Sequence, residues 1–219
     1  MKEFTRESLA VCCSGEQLLL HPSKVALWAV KKTLLVADVH VGKEHTFARA
    51  GIPVPAGISE HTLNTLIHAV DSSAAERLII LGDLLHATPG RSESWQAHFN
   101  AQLATRRNLH VQVIIGNHDS KTARDRVVAD LNWQQSLHEP PFVFTHEPHH
   151  DQRGHVVAGH IHPVYKLTAG RRRLRAPVFW CRQHYTVMPA FGKFTGGHLI
   201  EPDTDDRIFM IGDEQVIEV

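Results

Sequence analysis

Five short β-rich apolar runs, each followed directly by a polar cluster, constrain the fold of this chain more than any other feature. They cover residues 33–37, 78–81, 111–115, 142–145 and 156–158. Nearly continuous apolar segments of this kind are typical of strands that are buried on both faces. The sequence therefore predicts buried strands that end in polar residues.

Two segments between these runs carry the apolar period of a helix. In residues 58–70, one apolar stripe consists of Leu63, Leu66, Ile67 and Val70. In residues 92–106, one face consists of Trp95, Phe99 and Leu103. Alternation of strands and helices predicts right-handed crossovers and a largely parallel central sheet.

The last third of the chain has a different pattern. Strand-like segments separated by turns cover residues 164–168, 174–180, 185–188 and 208–211. We expect an antiparallel second sheet there, packed on the first. Because 219 residues with 42% hydrophobic content supply one sizeable core, the elements predict a single α/β domain over residues 1–219. Its architecture is a two-sheet β-sandwich flanked by α-helices.

Charge and cysteine content exclude several classes of protein. The 23 basic and 23 acidic side chains cancel, so contact with nucleic acid would need a local basic patch. No apolar run approaches the roughly 20 residues of a transmembrane helix, and the first ten residues lack the apolar core of a signal peptide. Three cysteines do not make a disulfide framework, and we expect them to be packing residues. These features predict a cytoplasmic protein with no membrane partner.

The polar clusters contain the residue types that bind transition metals. They are Asp38-Val39-His40, Gly82-Asp83, Gly116-Asn117-His118-Asp119, Thr145-His146 and Gly159-His160-Ile161-His162. Sites in open α/β sheets form at the carboxyl ends of strands, and a mixed oxygen and nitrogen set suits Mn, Fe or Zn. The donors exceed what one ion can use, so two ions about 3.5–4 Å apart, with a bridging carboxylate, are the simplest arrangement.

Each cluster alone also fits a structural role. Gly-Asp after a strand is most often a turn, and Gly-His-x-His suits two solvated histidines on one strand face. The joint pattern is much less frequent by accident than any single cluster. The 18 histidines of the chain also favour a metal site.

In this order the clusters resemble the calcineurin-like metallophosphoesterase superfamily. All five parts of that pattern occur between residues 38 and 162. Residues 38–57, 82–86 and 189–197 are further similar to the bacterial ligase-associated DNA damage response endonuclease family (PdeM). The resemblance implies a metallo-dependent phosphatase-like fold with four αββα layers.

The resemblance also implies a cofactor and a set of site residues. The cofactor is two divalent metal ions, with Mn as the first choice and Fe or Zn as alternatives. One ion is expected on Asp38, His40, Asp83 and His162. The other is expected on Asp83, Asn117, His146 and His160. The catalytic residues implied are His118, at the leaving group, and Asp119, as its orienting partner.

Two positions depart from the superfamily pattern. His86 stands where many members have an Asp three residues after the bridging carboxylate, and Glu147 follows His146 where Gly is common. Either change can alter the surroundings of the metals or the substrate preference, so neither residue has an assigned role.

The implied chemistry is hydrolysis of a phosphodiester by a metal-dependent phosphoric ester hydrolase. Two dications neutralise a phosphate oxygen and lower the pKa of a shared water toward neutrality. The metal-bridged hydroxide attacks phosphorus in line, and His118 donates to the leaving group, an effect typically of about 10²–10⁴ in rate. The family resemblance implies an endonuclease that acts on DNA in repair, and an association with a DNA ligase and a helicase.

Two other functions stay open from the sequence. One is a phosphodiesterase or phosphatase for a small nucleotide, with the same centre in a closed cleft. The other is a non-catalytic metal-binding scaffold, which the complete ligand set argues against. A basic run (Arg171, Arg172, Arg173 and Arg175) is either a solvated hairpin tip or a contact for a nucleic-acid backbone. Within residues 43–55, Lys43, His45 and Arg49 either face the substrate or solvate a loop. Phe191 and Phe194 either form a wall of the pocket or turn a corner of the sheet.

Overall fold

A computed structural model describes residues 2–55, 57–87, 94–127, 131–169 and 172–219. Within these ranges the helices are α1 (Lys2–Glu7), α2 (Lys43–Arg49), α3 (Ile58–Ser73), α4 (Ser94–Ala104) and α5 (Lys121–Arg124). The two long helices confirm the predicted helical segments. The predicted start of the second, at Ser92, lies outside the described residues.

The first sheet has seven strands within the described residues and is half antiparallel, half parallel. In spatial order, its strands are β1 (Leu9–Cys13), β2 (Glu16–His21), β3 (Val25–Trp28), β4 (Thr33–Val36), β5 (Arg77–Leu81), β6 (His110–Ile114) and β7 (Asn132–Gln134). Neighbours from β1 to β4 are antiparallel, and those from β4 to β7 are parallel. The expected parallel sheet is therefore only its second half, because the short turns before β4 allow only antiparallel pairing.

The second sheet has nine strands within the described residues. They are β8 (Leu137–Glu139), β9 (Phe142–Phe144), β10 (His155–Ala158), β11 (Pro163–Ala169), β12 (Arg172–Cys181), β13 (Tyr185–Val187), β14 (His198–Leu199), β15 (Arg207–Ile211) and β16 (Val216–Glu218). Their order is β14-β11-β12-β13-β10-β9-β8, with β15 and β16 beside β12.

The expectation that this sheet is antiparallel is wrong at its centre. Strands β9, β10 and β13 run parallel, while β11, β12, β15 and β16 pair antiparallel along the chain. Parallel pairing arises because a loop separates β9 from β10 and the β11–β12 hairpin separates β10 from β13. The apolar runs at residues 142–145 and 156–158 thus belong to the second sheet, not to the first.

Two apolar layers hold the sheets and helices together. Trp28, Leu35 and Ile79 of the first sheet pack against Phe144 and Phe179 of the second, all almost fully buried. On the outer face of the first sheet, Leu63, Leu66 and Val70 of α3 pack with Trp95 and Phe99 of α4. The fold is therefore an α/β sandwich of two sheets, as expected, with these helices on the outer face of the first sheet.

The outer face of the second sheet is covered differently. All helices in the described ranges end by Arg124, before the second sheet begins. Instead, Ile200 from the segment between β13 and β15 packs on Val178, Val187 and Met210. The segment between β13 and β15 therefore covers part of this face.

Candidate metal centre

The five polar clusters meet where the carboxyl ends of parallel strands from both sheets converge. Asp38 and His40 follow β4, Asp83 follows β5, and Asn117 follows β6 in the first sheet. In the second sheet, His146 follows β9, and the pair His160 and His162 follows β10. The structure thus brings together all seven residues expected to bind metal, from two sheets rather than one.

The first group of donors consists of Asp38, His40 and His162. The two histidine Nε2 atoms lie 3.4 Å apart. Asp38 Oδ1 lies 3.4 Å from His162 Nε2, and Asp83 Oδ2 lies 3.7 Å from His40 Nε2. The mutual distances of Asp38, His40 and His162 are small enough for a shared cation.

The second group of donors consists of Asn117, His146 and His160. Asn117 Oδ1 lies 2.9 Å from His146 Nε2 and 3.1 Å from His160 Nδ1. His146 Nε2 also lies 3.6 Å from Asp83 Oδ2. The same carboxylate oxygen of Asp83 therefore borders both groups, as the position of a bridging ligand requires.

Hydrogen bonds direct the donor atoms toward these two groups. The Nδ1 atoms of His146 and His162 face the carbonyl oxygens of Leu81 and Thr195 at 3.1 Å, so the protons lie there and both Nε2 lone pairs are free. Asp83 Oδ1 accepts from the His118 amide at 2.9 Å, which leaves Oδ2 for the centre.

This donor set fits two divalent cations. Free nitrogen lone pairs face carboxylate oxygens, and the buried Nδ1 of His40 has no hydrogen-bond partner in the described part of the chain. Buried carboxylate oxygens and nitrogen lone pairs this close to one another are stabilised by a positive charge between them. The structure holds the donors for two ions.

The backbone at the donors adopts a conformation that most residues avoid. Asp38, His40, Asp83, His160 and His162 have positive φ angles of 54°, 50°, 48°, 70° and 53°. Such left-handed residues other than glycine cost about 1–3 kcal/mol each and cluster at functional sites. All five of these positions hold residues that are expected to bind metal.

Glycines allow the crowding around the donors. A Cβ atom on Gly82 would lie 2.0 Å from His146 Nδ1, and one on Gly116 would lie 2.2 Å from Asp83 Oδ1. At Gly159 a Cβ atom would lie 2.5 Å from Asp38 Oδ2. Each of these glycines therefore leaves space that a donor side chain fills.

Burial sets the protonation of the centre. The pKa of Asp83 is raised, because burial outweighs the opposing effect of His146 and the His118 amide. The pKa of His40 is lowered to about 2 by burial, with His162 and Lys43 adding to the effect. For His162, burial lowers the pKa, but Asp38 outweighs it and the net shift is upward. Without added positive charge, the buried carboxylate Asp83 is thus driven toward its neutral form.

His118 lies at the edge of the centre and is exposed, with its ring 5.2 Å from that of His40. Its Nδ1 donates to the carbonyl oxygen of His86 at 2.9 Å. Asp119 instead accepts backbone hydrogen bonds from Leu85 and Gly116, at 2.9 and 3.0 Å. The expectation that Asp119 orients His118 is therefore wrong, because its two oxygens are used by these amides.

His86 is the neighbour that the sequence pattern leaves without a role. Its ring stacks on the ring of His118 with centroids 5.2 Å apart, and it lies edge-on to His40. Burial lowers its pKa to about 4, with Lys43 and His118 adding to the effect. In the sequence, only the replacement of the common Asp by His86 indicates that this position differs from the superfamily pattern.

Other predicted features lie around the centre. Arg173 and Arg175 are exposed, and Arg175 donates to the carbonyl oxygen of Gly197 at 3.0 Å. Arg171 and the side chain of Arg172 lie outside the described residues, so the hairpin tip is not part of the described chain. Phe191 is buried and Phe194 is exposed.

Cys13 and Cys181 have the environment of packing residues, whereas Cys12 is exposed and the expectation is wrong for it. Burial raises the pKa of Cys13 and raises that of Cys181 to about 12. Such thiols stay protonated at neutral pH and are poor nucleophiles.

The described helices give no sign of a membrane span. None of those in the described chain is long and apolar enough to span a bilayer.

Comparison with known proteins gives a strong similarity to a nuclease. The crystal structure of Pseudomonas putida nuclease MPE is 33% identical with a TM-score of 0.80, over 96% of this chain and 100% of that one. No protein-family model and no curated protein matches the chain.

Two further structures are more distant. The phosphoesterase Yfce from E. coli is 17% identical with a TM-score of 0.46, over 85% of this chain and 97% of that one. A protein of unknown function from Aquifex aeolicus, AQ665, is 14% identical with a TM-score of 0.42, over 85% of this chain and 94% of that one.

Proposed function

Because the chain belongs to the calcineurin-like metallophosphoesterase superfamily, in the family of the Pseudomonas putida nuclease, and is a metal-dependent phosphoric ester hydrolase, we propose that it is a phosphodiesterase of nucleic acid. The observation that carries this proposal is the double donor group that shares Asp83. We further propose that it acts as an endonuclease on DNA in repair. Association with a DNA ligase and a helicase, the cytoplasmic location and the single domain stay predictions.

The proposed cofactor is two Mn²⁺ ions. Asp38, His40, His162 and Asp83 would hold one ion. Asp83, Asn117, His146 and His160 would hold the other. When bound, such ions neutralise a phosphate and activate water toward phosphorus. Fe²⁺ and Zn²⁺ suit the same donors, and reconstitution of the chelator-treated protein with each metal separates the three.

His118 and Asp119 have different roles in the proposed reaction. His118 has its Nδ1 proton committed to the His86 carbonyl, so only the imidazolium form can donate from Nε2 to a leaving group. Asp119 ties the segment after β6 to Leu85, which fixes the distance between Asn117 and Asp83. The exposed position of His118 and His160 leaves the centre open to a polymeric substrate.

The complete set of donors supports an enzyme over a non-catalytic scaffold, since a scaffold has no need to retain the left-handed turns at five donor positions. The small-nucleotide alternative has the same centre in a closed cleft, whereas His118 and His160 are exposed here.

The test is a substrate comparison with Mn²⁺-supplemented protein. We expect hydrolysis of bis-p-nitrophenyl phosphate and cleavage of single- or double-stranded DNA. Activity on cyclic nucleotides without DNA cleavage would overturn the nucleic-acid assignment, and no hydrolysis of any of them would overturn the phosphodiesterase.

The salt dependence of DNA affinity tests whether the exposed Arg173 and Arg175 contact DNA. Each phosphate contact that is lost reduces the slope of log affinity against log salt by about 0.7–0.9. We expect R173S/R175S to flatten this slope, and Arg107→Ser, at an exposed position outside the centre, to leave it unchanged.

A further inference from the structure

A cavity beside the second donor group has no role in the function described so far. Its volume is about 480 Å³, within the range of pockets that bind small organic groups. We propose that it binds the nucleobase and sugar of the nucleotide that keeps the phosphate after hydrolysis. This inference rests on the proposed phosphodiesterase function and assigns a substrate subsite to it.

The cavity lies between the two sheets at the metal centre. Its walls come from residues 115–117 after β6, residues 135–136 between β7 and β8, and the loop that follows β9. Asn117 and His146, of the second donor group, form its inner end. His118 is not among its lining residues in the described chain, and its ring lies by His40 of the first group. A phosphate bound at the centre would thus face His118 beside the first donor group and the cavity beside the second. The leaving group and the cavity would therefore lie on different sides of the phosphate.

The charges of the lining disfavour a second phosphate in the cavity. Arg153 is its one arginine or lysine among the described residues, and the guanidinium is paired with Asp151 through contacts of 2.6 and 3.0 Å. Glu147 adds an exposed carboxylate to the lining. A polar group without negative charge fits these surroundings, and in a nucleotide that group is the nucleoside.

The lining also presents groups that recognise a base. The Glu147 carbonyl oxygen accepts from Thr145 Oγ1 at 2.9 Å and from His149 Nδ1 at 3.0 Å, which orders the loop after β9. The loop then carries the Glu147 carboxylate as an acceptor and the exposed His149 ring as a stacking surface. The side chains of Gln135 and Ser136, on the facing wall, form no hydrogen bond within the described chain. They are free to contact a ligand.

Two esters with the same leaving group and the same charge test this proposal. Thymidine 5′-(p-nitrophenyl phosphate) retains a nucleoside after hydrolysis, whereas methyl p-nitrophenyl phosphate retains only a methyl group. Since a stacked base contributes about tenfold or more in affinity, we expect kcat/KM to be at least about tenfold higher for the thymidine ester. Equal values for the two esters would overturn the subsite. Failure to hydrolyse either ester would count against the phosphodiesterase itself.

Variants locate the effect. Ser136→Trp fills the cavity and should bring the ratio of the two kcat/KM values close to one, while Asn108→Trp, at an exposed position between α4 and β6, should keep the wild-type ratio. Glu147→Ala should lower the ratio severalfold, with Glu201→Ala as its matched control at an exposed carboxylate. A wild-type ratio in both cavity variants would refute the assignment.

Binding of thymidine alone provides a readout that needs no turnover. Titrated into ¹⁵N-labelled protein, thymidine should shift the amide signals of Gln135 and Ser136, and the Glu147→Ala variant should bind more weakly. Shifts confined to other surfaces, or none at millimolar thymidine, would place the base elsewhere even if the phosphodiesterase is active.

Discussion

Gly82→Ala tests the packing of the metal centre without any metal present. Gly82 has φ of 82°, and a Cβ atom there would lie 2.0 Å from Nδ1, 2.4 Å from Cγ and 2.8 Å from Cβ of His146. The ring cannot stay where it is, so its hydrogen bond to the Leu81 carbonyl is lost as well. We therefore expect two costs beyond the strain of an alanine at positive φ.

Gly15 provides a matched control for that strain. It lies in the turn between β1 and β2 with φ of 84°, and no atom lies within 4 Å of its hypothetical Cβ. Gly15→Ala should cost about 1–2 kcal/mol through the left-handed backbone alone. Overpacking adds about 1–3 kcal/mol, and the lost hydrogen bond adds about 0.5–1.5 kcal/mol. Gly82→Ala should thus be less stable than Gly15→Ala by about 1.5–4.5 kcal/mol.

The assay is urea unfolding of chelator-treated proteins, followed by circular dichroism. Chelation ensures that the difference does not reflect weaker metal binding. On adding Mn²⁺ afterwards, the wild type and Gly15→Ala should gain more stability than Gly82→Ala, because His146 is displaced. Equal midpoints and equal slopes for the two alanine variants would refute the reasoning that Gly82 makes room for His146.

Three further predictions follow from other contacts. His118→Ala should slow hydrolysis of esters with alkyl leaving groups by about 10²–10⁴ and affect nitrophenyl esters much less; equal loss for both would assign His118 to positioning only. Asp119→Asn should lower the free energy of unfolding by about 1–3 kcal/mol, since an amide can accept only one of the hydrogen bonds from Leu85 and Gly116, and an unchanged urea midpoint would count against these bonds. Burial, with His184 adding, lowers the pKa of His155 from 6.5 to about 4, so stability from its neutral ring is present above pH 6.5 and falls as pH drops toward 4. His155→Gln should lose less stability over this interval in equilibrium unfolding, and a slope as steep as the wild type would contradict the shift.

The sequence places the expected donors at strand ends for a physical reason. Each cluster directly follows an apolar run. Such a run, when it is buried on both faces, forms a strand in most cases, and the strand ends where the polar residues begin. That is why Asp38, Asp83 and His160 could be placed at strand ends from local pattern. Which sheet each strand joins depends on long-range pairing. Periodicity alone therefore does not reveal that β9 and β10 belong to the second sheet.

The role of Asp119 shows where sequence reasoning stops. The family resemblance implies that Asp119 orients His118, yet neighbours along a turn point in different directions. The oxygens of Asp119 meet amides of Leu85 and Gly116, and the Leu85 amide lies 34 positions away in sequence. Likewise, His86 orients His118 through a backbone carbonyl, a contact that no residue type predicts.

Metal content of Asp83→Asn tests the central claim most directly. Asp83 Oδ2 lies 3.7 Å from His40 Nε2 and 3.6 Å from His146 Nε2, between the two groups of donors. We expect the wild type to bind two equivalents of Mn²⁺ and the variant to bind both ions more weakly, with hydrolysis of bis-p-nitrophenyl phosphate almost abolished. Two tightly bound equivalents together with wild-type turnover in Asp83→Asn would contradict a shared carboxylate at the centre.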